Sequence, residues 1–277
     1  MTSLAYTRSG TGAPLVLLHG IGASRKAWDP VVSALGAHFT VIAVDLPGFG
    51  DSDPLPAHVE PTPAALAAAT AELLGELDIT NPHLGGNSLG GWVALELAAI
   101  CPAASLTLLS PAGLWRGDSP LYGVVSLRAT RWLSRHAGAL LYRLVGNRLG
   151  RALVLGQTHG RPMRLTAEYA RAAIHAMGSC PGFEEVLNAT VHRRFLATAP
   201  IGAPVTVAFG SRDRLLLRHQ SRHVDQLPPG TRVEALPGCG HVPMADDPGA
   251  VTAAITRTAS RAVGQVRRHP GRTLSQR

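Results

Sequence analysis

Residues His83 to Ala98 constrain the fold more than any other stretch of the chain. The beginning of this stretch reads as a short buried strand and its end as a helix, which leaves Ser88 on the turn between them. Gly86-Asn87-Ser88-Leu89-Gly90 has the spacing G-x-S-x-G. The spacing has a steric cause. A serine on a tight strand-to-helix turn sits in a strained backbone conformation, and side chains two positions to either side would collide. Glycines at 86 and 90 remove the collision, and Gly91 lets the helix approach the sheet. The helix start then turns its free N–H groups and the positive end of its dipole toward Ser88. A glycine-rich turn carrying a bystander serine would read the same way, so partners elsewhere in the chain must decide.

The remaining sequence repeats a strand–helix rhythm. Residues 3–8 read as a strand, and residues 14–18 form the continuous apolar run expected of a strand covered on both faces. That run ends at His19-Gly20-Ile21-Gly22. A helix over 27–35, a buried strand over 39–45 and a loop over 46–52 follow. Residues 63–77 predict a helix with Thr62 as its N-cap and Pro63 in its first turn. After the Ser88 unit comes a strand over 105–109. Alternation of this kind implies a mostly parallel sheet with helices on both faces.

From Trp115 to about Pro200 the rhythm breaks. Helices are predicted over 124–133, 138–145, 166–177 and 183–197, with no convincing strand. The block, 114–200, reads as a helical cap inserted into an α/β core of 1–113 and 201–263. Within the second part of the core, strands over 204–209 and 231–236 alternate with helices over 218–227 and 248–263. Residues 264–277 read as a basic, disordered tail.

Composition excludes several classes. Cys101, Cys180 and Cys239 are odd in number and lack paired metal spacing, which argues against a disulfide framework and a zinc site; no metal or cofactor is expected. The longest apolar segment, Trp92 to Leu109, is interrupted by Glu96 and Pro102, so no membrane span is expected. The N-terminus has no basic and apolar leader pattern, which points to the cytoplasm. The formal charge is +8, but the arginines are scattered without an aromatic-interleaved basic patch, and nucleic acid is not an expected partner.

A serine needs a base to act as a nucleophile, and the base needs an orienting group. Among twelve histidines, His241 stands out. It lies in Gly238-Cys239-Gly240-His241, after the last strand and before the last helix. The orienting acid is Asp213, in the loop directly after the preceding strand, where a turn aspartate satisfying local amides is the bland alternative. The order Ser88…Asp213…His241 resembles that of the α/β-hydrolases. The backbone N–H groups of Ile21 and Leu89 are expected to converge as an oxyanion hole, and His19 to buttress the loop by hydrogen bonds.

His19-Gly20-x-Gly22, Asp45-Leu46-Pro47-Gly48-Phe49-Gly50-x-Ser52, Gly86-Asn87-Ser88-Leu89-Gly90-Gly91, Gly210-x-x-Asp213 and Gly240-His241 occur in this order. In these the chain resembles the α/β-hydrolase superfamily, in its cap-bearing serine-hydrolase branch. The resemblance implies an α/β-hydrolase fold and a serine hydrolase that cleaves a carboxylic ester through an acyl-enzyme. Its substrate would be a small molecule with an apolar acyl part. A meta-cleavage-product hydrolase, which breaks a carbon–carbon bond, is the nearest rival, but such enzymes usually carry Gly-Pro-Gly after the oxyanion loop and tryptophan after the histidine. Here Ala23-Ser24 and Val242 stand in those places. Haloalkane dehalogenases and epoxide hydrolases of the superfamily need an aspartate at position 88. A thioesterase or another acyl-processing enzyme would use the same three side chains. A hydrolase-fold binding protein is the reading from a different class.

Overall fold

The computed structural model describes residues 2–268. Seven strands form one sheet: β1 (Tyr6–Ser9), β2 (Ala13–Leu18), β3 (Phe39–Val44), β4 (His83–Asn87), β5 (Ser105–Leu109), β6 (Val205–Gly210) and β7 (Arg232–Leu236). Their spatial order is β1-β3-β2-β4-β5-β6-β7, with β1 antiparallel to β3 and every other neighbouring pair parallel.

The apolar runs seen in the sequence are explained by burial on both faces. In β2, Leu15 and Leu17 face one core, while Val16 and Leu18 face the other; Val41 and Ala43 alternate with Ile42 and Val44 in β3. Helices α1 (Asp29–Gly36) and α11 (Pro248–Arg268) cover the first face through Val31, Leu35, Val251 and Ile255. Helices α2 (Pro63–Glu76) and α3 (Leu89–Ile100) cover the second through Leu66, Leu73, Val93 and Leu97. Thr62 caps α2 by accepting from the Ala65 amide at 3.2 Å.

Between β5 and β6 the chain forms α4 (Leu121–His136), α5 (Gly138–Leu144), α6 (Arg148–Leu155), α7 (Ala167–Ser179) and α8 (Phe183–Val191). Helix α6 was not expected; Asn147 starts it by accepting from the Gly150 amide at 2.9 Å. Helix α8 ends six residues earlier than predicted. There the chain turns back to the core: the Phe195 amide donates to Gly113 O, and the Trp115 indole donates to Arg193 O. A similar cause shortens the helix predicted over 218–227 to the single turn α9 (Arg218–Ser221). The Arg222 guanidinium lies over Phe209, and the His223 amide donates to Leu114 O, so the backbone leaves the helical path.

Short helix α10 (Pro243–Asp246) precedes α11. The last helix continues to Arg268, so residues 264–268 are helical rather than tail; the remainder of the predicted tail, 269–277, lies outside the described residues. Strand β1 lies one to three residues later than predicted, set by pairing of Tyr6 with Val44 and Ser9 with Val41. Among the described residues no helix is long and apolar enough to cross a membrane.

Candidate active site

The carboxyl ends of the parallel strands gather the residues singled out in the sequence. Ser88 follows β4, Ile21 follows β2, Asp213 follows β6 and His241 follows β7. Ser88 has φ 54° and ψ −117°, a conformation that side chains rarely adopt. The flanking glycines allow it. A Cβ on Gly86 would collide with Gly90 O, and one on Gly90 would collide with Leu18 O. Gly91 lies against Pro111, where a Cβ would approach to 2.8 Å.

Asp213 and His241 meet directly. The Nδ1–H of His241 donates to Asp213 Oδ2 at 2.9 Å, while Asp213 Oδ1 accepts from the Leu215 and Leu216 amides, both at 2.9 Å. Burial raises the Asp213 pKa, but the His241 charge, the bond to its ring and the two amides outweigh this and hold the carboxyl below its ordinary value. That arrangement places the lone pair of His241 on Nε2. This atom is buried and has no partner among the described residues. Asn87, beside Ser88 in the motif, donates its amide to His241 O at 2.9 Å and to Leu109 O at 3.0 Å. The histidine loop is thereby tied to the strand that carries the serine.

The loop after β2 is fixed by His19. The Leu46 amide donates to its Nε2 at 3.0 Å, so its Nδ1–H donates to Gly20 O at 2.8 Å. Burial lowers the His19 pKa and keeps the ring neutral in this role. A Cβ on Gly20 would sit 3.2 Å from Ser88 Cβ, which shows how closely this loop passes the serine. Leu89 opens α3, and its N–H has no intrahelical acceptor. The Ile21 amide makes no hydrogen bond among the described residues. Buried Asp45 organises the adjoining loop, pairing with Arg25 and accepting from the Asp51 amide at 3.0 Å; Gly50, at φ 56°, leaves room for that carboxylate.

Ser88, His241 and Ile21 line one cavity of about 750 Å³. Its far wall comes from the helices between β5 and β6, including Leu127, Leu141, Leu144 and Ile174. Three residues in or behind this wall, His159, Tyr169 and Asp246, carry no local sequence signal. His159 lies in the cavity wall, with Nε2 3.3 Å from the Tyr169 hydroxyl and Nδ1 2.9 Å from Thr158 Oγ1. Burial is the main cause that lowers its pKa to about 4. Asp246 is buried and accepts from the amides of Gly160, Arg161 and Gly240 at 2.7, 2.8 and 2.7 Å. It thus clamps the turn that carries His159 to the loop that carries His241. Thr158 O accepts from the Val242 amide at 2.9 Å and adds a second tie. Among the described residues no group of acidic, cysteine and histidine side chains has a metal-holding arrangement.

A model of the alpha/beta hydrolase family matches residues 15–255. The chain is similar to an uncharacterised protein of Mycobacterium tuberculosis, 29% identical over 264 residues that span 88% of this chain and 74% of that one. It is also similar to the epoxide hydrolase EphH of Mycobacterium tuberculosis, 33% identical over 205 residues, 70% of this chain and 92% of that protein. Among solved structures it is similar to a thermophilic esterase from Thermogutta terrifontis, with a TM-score of 0.74, 25% identity and 94% of each chain covered.

Proposed function

The chain belongs to the alpha/beta hydrolase family, and from that premise we propose that it is a serine hydrolase cleaving a carboxylic ester through an acyl-enzyme. The observation that carries this reading is the Nε2 of His241: buried, without a partner among the described residues, and held by the Asp213 bond to Nδ1 in a residue that lines the same cavity as Ser88. Nε2 takes the Ser88 proton as Oγ attacks the ester carbonyl, and the Ile21 and Leu89 amides hold the oxyanion. The imidazolium, stabilised by the Asp213 carboxylate, returns its proton to the departing alkoxide. A water deprotonated by His241 then attacks the acyl carbonyl and releases the acid, restoring Ser88.

The helices from α4 to α8 act as the cap. Their leucines give the cavity an apolar wall suited to an acyl chain. Epoxide opening of the superfamily type calls for a carboxylate nucleophile, and the strained turn here carries a hydroxyl. Thioesters would be cleaved by the same steps.

A fluorophosphonate probe tests the assignment. It should modify one site, Ser88, as read by intact mass and peptide mapping. Ser88→Ala should abolish labelling and lower aryl-ester turnover by roughly 10³-fold or more. A chain that takes up no probe, or a Ser88→Ala variant with near-normal turnover, would overturn the proposal. Esters, thioesters, vinylogous diketones and epoxides assayed side by side separate the neighbouring chemistries.

A further inference from the structure

Between Asp118 and Glu168 the chain carries eight arginines and no acidic residue. This run contains α4, α5 and α6. Arg131 and Arg151 are buried and donate to Cys180 O and Val145 O. Arg128 pairs with Glu184, and Arg161 with Asp247. Arg135, Arg143, Arg148 and Arg164 are exposed and form no ion pair among the described residues.

The same helices hold large apolar side chains in solvent. They are Leu121, Val125 and Trp132 on α4, Leu140 on α5, and Leu149 and Leu153 on α6. Leu121 with Val125, and Leu149 with Leu153, are four residues apart, so each pair stands on one helix face. Leu149 and Leu153 are 74% and 77% exposed. An amphipathic helix ordinarily turns such a row inward. Leu133 and Leu153 are exposed and also line the cavity that contains Ser88, so the apolar surface reaches the mouth of the cavity from both α4 and α6.

We propose that α4, α5 and α6 dock on an anionic lipid surface. The free arginines meet headgroup phosphates, and the leucines with Trp132 enter the boundary of the acyl chains, which sets the cavity mouth against the lipid. Charge selects this occupant. A second copy bound through the same face would oppose two acid-free arginine clusters, which repel. A polyanion such as RNA would match the charge but leave the leucines uncovered. Docking goes beyond the ester-hydrolysis reading and does not rest on it, because binding is read without turnover.

The test uses the full chain with vesicles of phosphatidylcholine alone or with about one-third phosphatidylglycerol, read by flotation and tryptophan emission. Trp28, Trp92 and Trp115 are buried while Trp132 is 60% exposed, so a blue shift reports insertion of α4. The anionic vesicles should be bound at least about tenfold more tightly than the neutral ones, with the difference shrinking at high salt. Arg135→Glu combined with Arg143→Glu and Arg148→Glu should remove most of this binding, and so should Trp132→Asp combined with Leu149→Asp. Both variants should turn over a short aryl ester as the parent does, which also checks folding, and Ser88→Ala should bind vesicles like the parent. Equal binding to neutral vesicles, or binding unmoved by the arginine reversals, overturns the proposal. A dimer that Leu149→Asp splits in size-exclusion chromatography overturns it in favour of self-association. Equal capture by heparin, indifferent to the aspartates, overturns it in favour of a polyanion. If a variant does not fold, the salt and lipid dependence of parent binding decides.

Discussion

At the scale of single residues, the carboxyl edge of the sheet is built from atoms that have no room to be otherwise. Gly90 packs against the carbonyls of Leu18 and His19, which are backbone and cannot rotate away. Gly90→Ala is therefore expected to cost roughly 3 kcal/mol or more, through overpacking and a shifted Ser88 turn. Thermal unfolding checks it, and a melting temperature within a degree of the parent would contradict the close approach. Asp213 is different, because its asparagine variant can keep Oδ1 on the Leu215 and Leu216 amides. The side-chain amide cannot accept from His241 Nδ1–H as Oδ2 does, so the wrong tautomer is favoured. Asp213→Asn should fold normally and lose about 10³–10⁴-fold in kcat, measured on the aryl ester.

At the scale of elements, Asp246 joins two parts of the chain that are far apart in sequence. Three backbone amides donate to its carboxylate, two from the turn after α6 and one from the histidine loop. Bonds to a buried carboxylate are worth more than ordinary ones, and breaking them leaves amides unsatisfied. Asp246→Ala should lower stability by about 2–4 kcal/mol and reduce kcat, because both His241 and the cavity wall lose their anchor. Neighbouring Asp247, which is partly exposed, pairs with Arg161 and caps α11 by accepting from the Ala250 amide at 3.0 Å, supplies the comparison. Asp247→Ala should cost about 1 kcal/mol, the worth of one helix cap and an exposed ion pair, and leave kcat unchanged. Equal effects of the two substitutions would show that the clamp is not what holds these loops together.

At the scale of the whole molecule, burial of His159 links folding to pH. Its pKa is about 4 in the folded chain against an ordinary 6.5, so the unfolded chain binds the proton more readily. This contribution is full above about pH 6.5 and is lost as pH falls toward 4, amounting to something on the order of 3 kcal/mol. Asp213, whose carboxyl is held low, acts further down: its contribution is present above the unfolded carboxylate pKa and disappears as pH falls through the lower folded value. Chemical denaturation between pH 7 and 4 should show the His159 slope together with that of buried His19, and His159→Gln should reduce it. An unchanged slope in that variant would assign the acid sensitivity elsewhere.

Much of this architecture was legible in the chain before folding. The runs at 15–18 and 41–44 announce strands buried on both faces because every residue in them must meet a core, whichever way it points. The glycines around Ser88 announce the turn because no other residue fits there. Helices α8 and α9 were overextended, since what ends them is a hydrogen bond to Gly113 or Leu114, distant residues that local pattern does not register. His159, Tyr169 and Asp246 were invisible for the same reason. A histidine in a loop or an aspartate before a helix carries no sign of the cavity or the amides it will meet. Local sterics and periodicity are written in consecutive residues, and so the sequence alone determined the sheet, its helical cover and the serine turn. The carboxylate that clamps the loops, the neutral histidine in the wall and the exposed leucines beside arginines that pair with no acid among the described residues depend on contacts across the chain, and those only the tertiary structure decided.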